Sequence, residues 1–171
     1  ASTSLGWAGN VNSQLRRLDS MAADPGVFIG LAGAAGLVRG DTLTVTTTGT
    51  IKTGLPGEEK LPKLIIVGAD DGLVQTDNVV FVLEGGVDGS PTPANGALIR
   101  CRATGLFTGL TGSPTLGANI FVDYTGGLTD SPPSFERLVG RVVRVGGGTY
   151  DIMYDGSLIP KNPVFITQTV I

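Results

Sequence analysis

The chain has 171 residues, with 12 basic and 15 acidic side chains, a formal net charge of −3 at pH 7 and no histidine. That length suffices for one domain with an appendage and a buried core. Because the chain lacks a basic excess, sequence-independent binding of nucleic acid has little electrostatic basis, and we expect no nucleic-acid partner. It has no apolar run of 18 residues, and its first residues do not resemble a secretion signal. We therefore expect a protein that is made in the cytoplasm and has no membrane association.

Glycine and proline punctuate the whole sequence. The 27 glycines and 10 prolines lie between apolar runs without a fixed period, which favours an all-β protein with many turns over collagen or disorder. A single cysteine excludes an internal disulfide framework. Stability must therefore come from packing and from partners.

The N-terminal segment predicts one short amphipathic helix over residues 10–23. Its apolar side chains recur at spacings of three and four residues, and Asp24-Pro25-Gly26 ends the pattern. Such a helix is marginal alone, so its apolar stripe needs a surface, either on its own domain or on a neighbouring subunit. The residues expected to make that contact are Leu5, Trp7, Val11, Leu15 and Leu18.

Residues 26–40 are glycine-rich and follow a G-x-x-G-x-x-G spacing. A dinucleotide-binding turn requires G-x-G-x-x-G between a strand and a helix, so no nucleotide cofactor is expected. The segment is interpreted as a close-packed extended arm or loop.

The centre of the chain predicts seven strands rich in β-branched and aromatic residues. They are residues 43–48, 63–67, 78–83, 98–103, 118–124, 138–145 and 149–154. Most are farther apart than in a simple meander, which favours a Greek-key or jelly-roll-like sandwich or barrel. Residues 138–145 and 149–154 flank three glycines and predict a hairpin, with a bulge near Gly140 that turns the arginines to solvent.

The C-terminal segment predicts a further strand over residues 164–170, set off by Pro160 and Pro163. An apolar strand at a chain end presents an unpaired edge, which can pair with its own sheet or with a neighbouring subunit. The contact residues expected here are Val164, Phe165 and Ile166. The predicted organisation is an N-terminal arm over 1–40, a β-domain over 41–158 and a C-terminal strand or tail over 159–171.

Four motifs in the second half of the chain carry a family resemblance. They are Thr104-Gly105-Leu106-Phe107, Gly117-Ala118-Asn119-Ile120-Phe121-Val122-Asp123, Thr125-Gly126-Gly127-Leu128-Thr129 and Leu138-Val139-Gly140-Arg141-Val142-Val143. In this order they resemble the small β-rich capsid decoration, or cement, proteins of tailed bacteriophages, over roughly residues 80–156. The resemblance implies a homo-oligomer, often a trimer, seated on the exterior of an icosahedral head and clamping neighbouring subunits. It brings no catalytic residue.

The first hypothesis is therefore a structural virion protein whose partners are the major capsid protein and further copies of itself. The N-terminal arm and the C-terminal strand would supply contacts. The alternative is a tail-fibre or head-surface binding module that recognises a host glycan or protein.

An enzymatic function has little basis in the residue types. The absence of histidine removes Ser-His-Asp and Cys-His systems, and one cysteine with scattered carboxylates does not make a zinc site. Cys101 lies between two arginines, but strand neighbours point to opposite faces, so it is interpreted as a small core residue. A hydrolase would need a pair among Glu84, Asp88 and Asp123. We expect no enzyme activity, no cofactor and no metal.

Overall fold

The computed structural model describes residues 24–52, 58–69 and 79–158. These residues are all β, and no helix occurs among them. The helix predicted for 10–23 and the strand predicted for 164–170 lie outside the described residues.

Ten strands follow one another in the described residues. They are β1 (Val27–Ala32), β2 (Thr42–Lys52), β3 (Glu58–Ile66), β4 (Phe81–Gly86), β5 (Leu98–Arg102), β6 (Thr104–Thr111), β7 (Asn119–Val122), β8 (Leu128–Thr129), β9 (Leu138–Gly146) and β10 (Thr149–Asp155). The first five form a closed barrel in the order β1-β3-β2-β4-β5, and the last five form a curled sheet in the order β6-β10-β9-β7-β8. The all-β prediction, with a barrel as one of its forms, is confirmed.

The described residues divide into two compact units. The first holds most of the barrel, in residues 24–39, 45–52, 58–65 and 82–102. The second contains the curled sheet and consists of residues 40–44, 66–69, 79–81 and 103–158.

Strand β1 lies in the segment expected to be an extended arm or loop. It pairs in parallel with β3 and antiparallel with β5, and Ile29 and Leu31 pack with Leu61 in the barrel core. The glycine spacing reflects close approach of the backbone to β3. A Cβ at Gly30 would collide with the Leu64 side chain, and one at Gly33 would lie 2.5 Å from the Leu64 carbonyl oxygen.

The predicted hairpin is confirmed as β9 and β10. Gly147 and Gly148 form its tip with φ of 63° and 76°, the left-handed region that this two-residue turn requires. Next to Gly140, a register shift between β7 and β9 leaves Val139 without a partner on β7, so the predicted bulge is confirmed. A second shift, between β9 and β10, falls at Val143. Arg141 and Arg144 are exposed, as predicted.

Candidate functional site

The contact residues predicted from the sequence all lie outside the described part of the chain. They are Leu5, Trp7, Val11, Leu15, Leu18, Val164, Phe165 and Ile166. Their roles stay predictions, and the described residues supply a different candidate surface in the second unit.

That surface is a row of four side chains across the curled sheet, which we call the outer row. Met153 on β10 is the cross-strand partner of Leu106 on β6 and of Arg141 on β9, and Arg141 is in turn the partner of Asn119 on β7. With neighbouring strands about 4.8 Å apart, the outer row extends about 14 Å.

The outer row belongs to the exposed face of the sheet. Met153 is 50% exposed and Leu106 is 47% exposed, whereas Ile152, Tyr154 and Phe107 beside them in sequence are buried. The alternation follows from the pleat, which sends successive side chains to opposite faces. Leu106 and Met153 therefore form an apolar pair that the rest of the unit leaves open to solvent.

Positive charge and a further apolar side chain lie near this pair. The β9 bulge residue Val143 is 45% exposed, and Arg141 and Arg144 are exposed on the same strand. The Arg141 Nη2 atom donates to Asn119 Oδ1 at 3.4 Å, a long contact that leaves the guanidinium available for other acceptors. The face thus combines an apolar centre with an arginine border, a composition that suits contact with another protein.

Asp151 fixes the strands that carry the outer row. Its carboxylate accepts from the Gly109 amide at 2.8 Å and from Arg144 Nη1 at 3.2 Å. Both neighbours of β10 change register at this point, and Gly109 has a φ of 72°. The irregularity in β6 leaves the Gly109 amide without a strand partner, and the Asp151 carboxylate accepts its hydrogen bond instead. The hydrogen bonds from Gly109 and Arg144 hold the pKa of Asp151 below its ordinary value.

The turn at residues 123–127 anchors the other side of the second unit. Asp123 Oδ1 accepts from the Thr125 and Gly127 amides at 2.8 and 2.7 Å, and the Asp123 carbonyl accepts from the Ala69 amide. Burial alone would raise the pKa of Asp123, but these hydrogen bonds lower it below its ordinary value. The Gly126 carbonyl accepts from the amide of buried Thr42 at 2.6 Å.

The three carboxylates considered for a hydrolase all take part in local structure. Glu84 Oε1 accepts from Arg102 Nε at 2.5 Å, and Glu84 Oε2 lies 3.6 Å from Arg39. Asp88 accepts from the Ser90 amide at 3.0 Å, and Asp123 holds its own turn. Each of the three candidate carboxylates therefore has a structural role, and the hydrolase hypothesis stays a prediction.

Cys101 is fully buried, as predicted for a small core residue. Burial, and then the charge of Glu84, raise the pKa of its thiol well above the ordinary value, so the thiolate is disfavoured. The sequence did not predict that Arg102 beside it would also be buried. The Arg102 side chain is only 8% exposed and is bound by Glu84 and by Asp24, whose oxygen lies 2.6 Å from Nη2.

The apolar pair of the outer row was missed at the sequence level, although a signal for it was present. In Tyr150–Tyr154, Met153 is out of phase with Ile152 and Tyr154, and strict alternation would have placed it on the exposed face. Leu106 gave no such signal, because the glycines at 105 and 109 made its segment resemble a turn.

The described ranges contain neither a metal-binding cluster nor a membrane-spanning helix. No cluster of three or more His, Cys, Asp or Glu side chains there could hold a metal ion. Nor do those residues include a helix long and apolar enough to cross a membrane.

Comparison with known proteins gives no family assignment. No protein-family model matches the chain, and searches of curated proteins and of solved structures return no significant match.

Proposed function

We propose that this chain is a structural virion protein, a capsid decoration protein that binds the outer surface of a phage head and stabilises contacts between capsid subunits. The observation that carries the proposal is the outer row, in which Leu106 and Met153 expose an apolar pair beside Arg141 on the curled sheet. The resemblance of the motifs between residues 104 and 143 to phage cement proteins supports the same role.

The chemistry of the outer row specifies the kind of surface it would bind. Leu106 and Met153 are each about half exposed, so burying the remainder of both side chains contributes roughly 1.5–3 kcal/mol of transfer free energy before ordering costs. Arg141 and Arg144 add directional contacts to carboxylates on the partner. The expected partner surface is apolar at its centre and acidic at its border, and we assign it to the major capsid protein.

The proposed mechanism is binding linkage and involves no catalysis. A ligand that binds only the assembled lattice stabilises it by roughly 4 kcal/mol per site at a thousandfold excess over Kd. Repetition over many sites would make the shell resistant to internal pressure. Homo-oligomerisation, as a trimer, would multiply the weak contacts of each copy. The contact residues predicted between positions 5 and 18 and at positions 164–166 would add contacts to those of the outer row.

Co-sedimentation with empty expanded capsids tests the proposal. Met153→Glu places a charge at the centre of the outer row, and we expect it to abolish binding while leaving the fold intact, because the side chain is solvent-facing. Leu116→Glu is the matched control, since Leu116 is 66% exposed in the same unit but lies outside the row. Binding by the control and not by Met153→Glu supports the proposal, and equal binding by both variants contradicts it.

The second candidate function is a tail-fibre or head-surface module that binds a host glycan or protein. Its prediction differs, because such a module would bind its ligand without any requirement for capsids. Wild-type protein that binds a glycan array but fails to co-sediment with capsids would favour this alternative over decoration.

A further inference from the structure

A pocket of about 310 Å³ opens at the curl of the second unit's sheet. Thr111 at the end of β6 and Leu128 in β8 both line it, although β6 and β8 are the two opposite edges of the sheet. The curl therefore brings the edges around one concave space. Its volume falls at the lower end of the range of small-ligand clefts.

Polar groups converge on this pocket from three segments. Thr111 and Ser113 supply hydroxyls, Asp130 supplies a carboxylate and Tyr150 supplies a phenol. Thr111, Ser113 and Asp130 are exposed to solvent. Hydroxyl groups donate and accept, whereas the carboxylate accepts only, so the pocket suits a ligand that carries several hydroxyl groups.

Tyr150 supplies a phenol to the wall of the pocket. Its side chain is only 7% exposed, and it lines the pocket. A hydroxyl at the wall of an open pocket is met by water, which a hydroxyl group of a ligand can replace. Burial, and then the charge of Asp130, raise the pKa of Tyr150 above its ordinary value. A tyrosine phenol is protonated at neutral pH in any case, so the Tyr150 hydroxyl is a donor there.

The backbone fits closely around the phenol ring. Gly112 lies against it, with an added Cβ only 3.1 Å from Tyr150 Cε1, and Gly112 has a φ of 141°. The Gly112 amide donates to the Gly148 carbonyl at 2.9 Å, which fixes the segment to the β9–β10 turn. The ring is thus held in place before any ligand arrives, a feature that lowers the entropic cost of binding.

The charges around the pocket limit the class of ligand. No lysine or arginine lines it, so an anion would meet Asp130 without a compensating cation. One carboxylate is also too few for a calcium ion, which takes six to eight oxygen ligands. Pro114 and Leu128 provide an apolar wall that can contact the C–H face of a ring. The remaining class is neutral, compact and rich in hydroxyl groups.

We propose that this pocket binds one sugar residue, with Asp130 and the Tyr150 hydroxyl hydrogen-bonded to its hydroxyl groups and Pro114 and Leu128 against its ring. The proposal does not depend on capsid decoration, because the pocket residues and the outer row are different sets. A decoration protein with such a pocket would also hold the phage near glycan-bearing cell surfaces.

Amide NMR titration of the full-length chain tests the pocket. The probes are the methyl α-glycosides of glucose, galactose, mannose and N-acetylglucosamine, with inorganic phosphate and calcium ions as probes of the excluded classes. We expect at least one glycoside to cause saturable shifts confined to the amides of residues 111–113, 128–130 and 150. Absence of saturable shifts with all four glycosides, or binding of phosphate or calcium in their place, would overturn the proposal.

Three variants locate the binding site. Asp130→Asn and Tyr150→Phe should each weaken glycoside binding about tenfold, because each removes one hydrogen bond to the ligand. Asp88→Asn changes an exposed carboxylate in the first unit and should leave the affinity unchanged. If Tyr150→Phe does not fold, Ser113→Ala replaces it, since that hydroxyl is exposed. Equal affinity in Asp130→Asn, Asp88→Asn and wild type would refute the assignment.

Capsid co-sedimentation separates this proposal from the proposed function. Asp130→Asn should still bind capsids, and Met153→Glu should still bind the glycoside. Loss of capsid binding in Asp130→Asn, or of glycoside binding in Met153→Glu, would contradict the separation of the two sites. Wild-type protein that shows one activity and lacks the other identifies which of the two assignments fails.

Discussion

At the scale of single residues, a few glycines occupy positions that no other residue can take. Gly126 has a φ of 93°, and an added Cβ would lie 2.6 Å from Ile66 Cγ1 and 3.1 Å from the Val67 carbonyl oxygen. Its own carbonyl accepts from Thr42, so the backbone there cannot move away without losing a buried hydrogen bond. The glycine at position 126 in the motif Thr125-Gly126-Gly127 is thus required by packing, whether or not the chain is related to phage cement proteins.

A pair of glycine substitutions separates backbone strain from steric collision. Gly117 has a φ of 83° but no atom within 4 Å of an added Cβ. Gly117→Ala should therefore lower the free energy of unfolding by about 1–2 kcal/mol, the cost of holding an alanine in the left-handed conformation. Gly126→Ala should cost at least about 1 kcal/mol more, because it also overpacks the site. Urea denaturation measures the free energy of unfolding of both variants. An equal decrease in the two would show that the structure relieves the collision at Gly126 without a loss of stability.

Residue types also explain why Arg102 was not recognised from the sequence. An arginine between strand residues ordinarily faces solvent, and nothing in LIRCR distinguishes Arg102 from Arg100. Burial of Arg102 depends on Asp24 and Glu84, which are 78 and 18 residues away in the chain. Only the tertiary structure brings these charges together, and a buried ion pair of this kind is sensitive to loss of one partner.

At the scale of elements, strands with long runs of β-branched and aromatic residues were predictable, and strands that are short or rich in glycine were not. The β9–β10 hairpin follows directly from two valine- and tyrosine-rich runs around three glycines. Strand β6 contains Gly105 and Gly109, both with positive φ, and its local sequence resembles a turn. Strand β8 has two residues, too few for any periodicity. The parallel pairing of β1 with β3 has no local signal at all.

Substitutions at Asp151 and Arg144 test which contact stabilises the sheet where β10 shifts register against β6 and β9. Asp151→Ala removes the acceptor of the Gly109 amide, whereas Arg144→Ala removes only an ion pair whose arginine side chain is 66% exposed. We expect a clear fall in Tm for Asp151→Ala and little change for Arg144→Ala, since exposed ion pairs contribute little. A matching fall in both variants would mean that the ion pair, and not the amide contact, holds the strands.

The N-terminal arm offers an element-scale prediction about binding. A deletion of residues 1–23 should end before Asp24, because Asp24 is bound by Arg102 and its loss would disturb the barrel unit. We expect the shortened chain to stay folded and to bind capsids more weakly, since Leu5, Trp7, Val11, Leu15 and Leu18 would be absent. Circular dichroism and co-sedimentation check the two halves of the prediction. Undiminished capsid binding would count against the arm as a contact element.

At the scale of the whole molecule, the distribution of titratable groups predicts how stability responds to pH. Hydrogen bonds from Arg102 lower the pKa of Asp24, and hydrogen bonds from the backbone lower the pKa of Asp123 and Asp151. A carboxyl with a lower pKa in the folded chain takes up protons more readily when unfolded. The stability it contributes is therefore complete above the unfolded pKa, about 4, and lost as the pH falls through the folded value.

The expected result is a nearly constant Tm between about pH 5 and 7 and a progressive fall below about pH 4. The sequence has no histidine, which removes the side chain that ordinarily titrates near neutral pH. Differential scanning calorimetry across this range checks the prediction. Increasing stability toward acid pH would show that the three carboxyls are not stabilised as described.

The central claim is that the outer row is the face through which this protein binds a capsid. A cryo-EM map of the decorated particle tests it most directly. The account predicts that Leu106, Met153 and Arg141 lie against the major capsid protein, with an acidic side chain near the guanidinium. A map in which this face of the sheet points into solvent, with the chain attached by other surfaces, would contradict it.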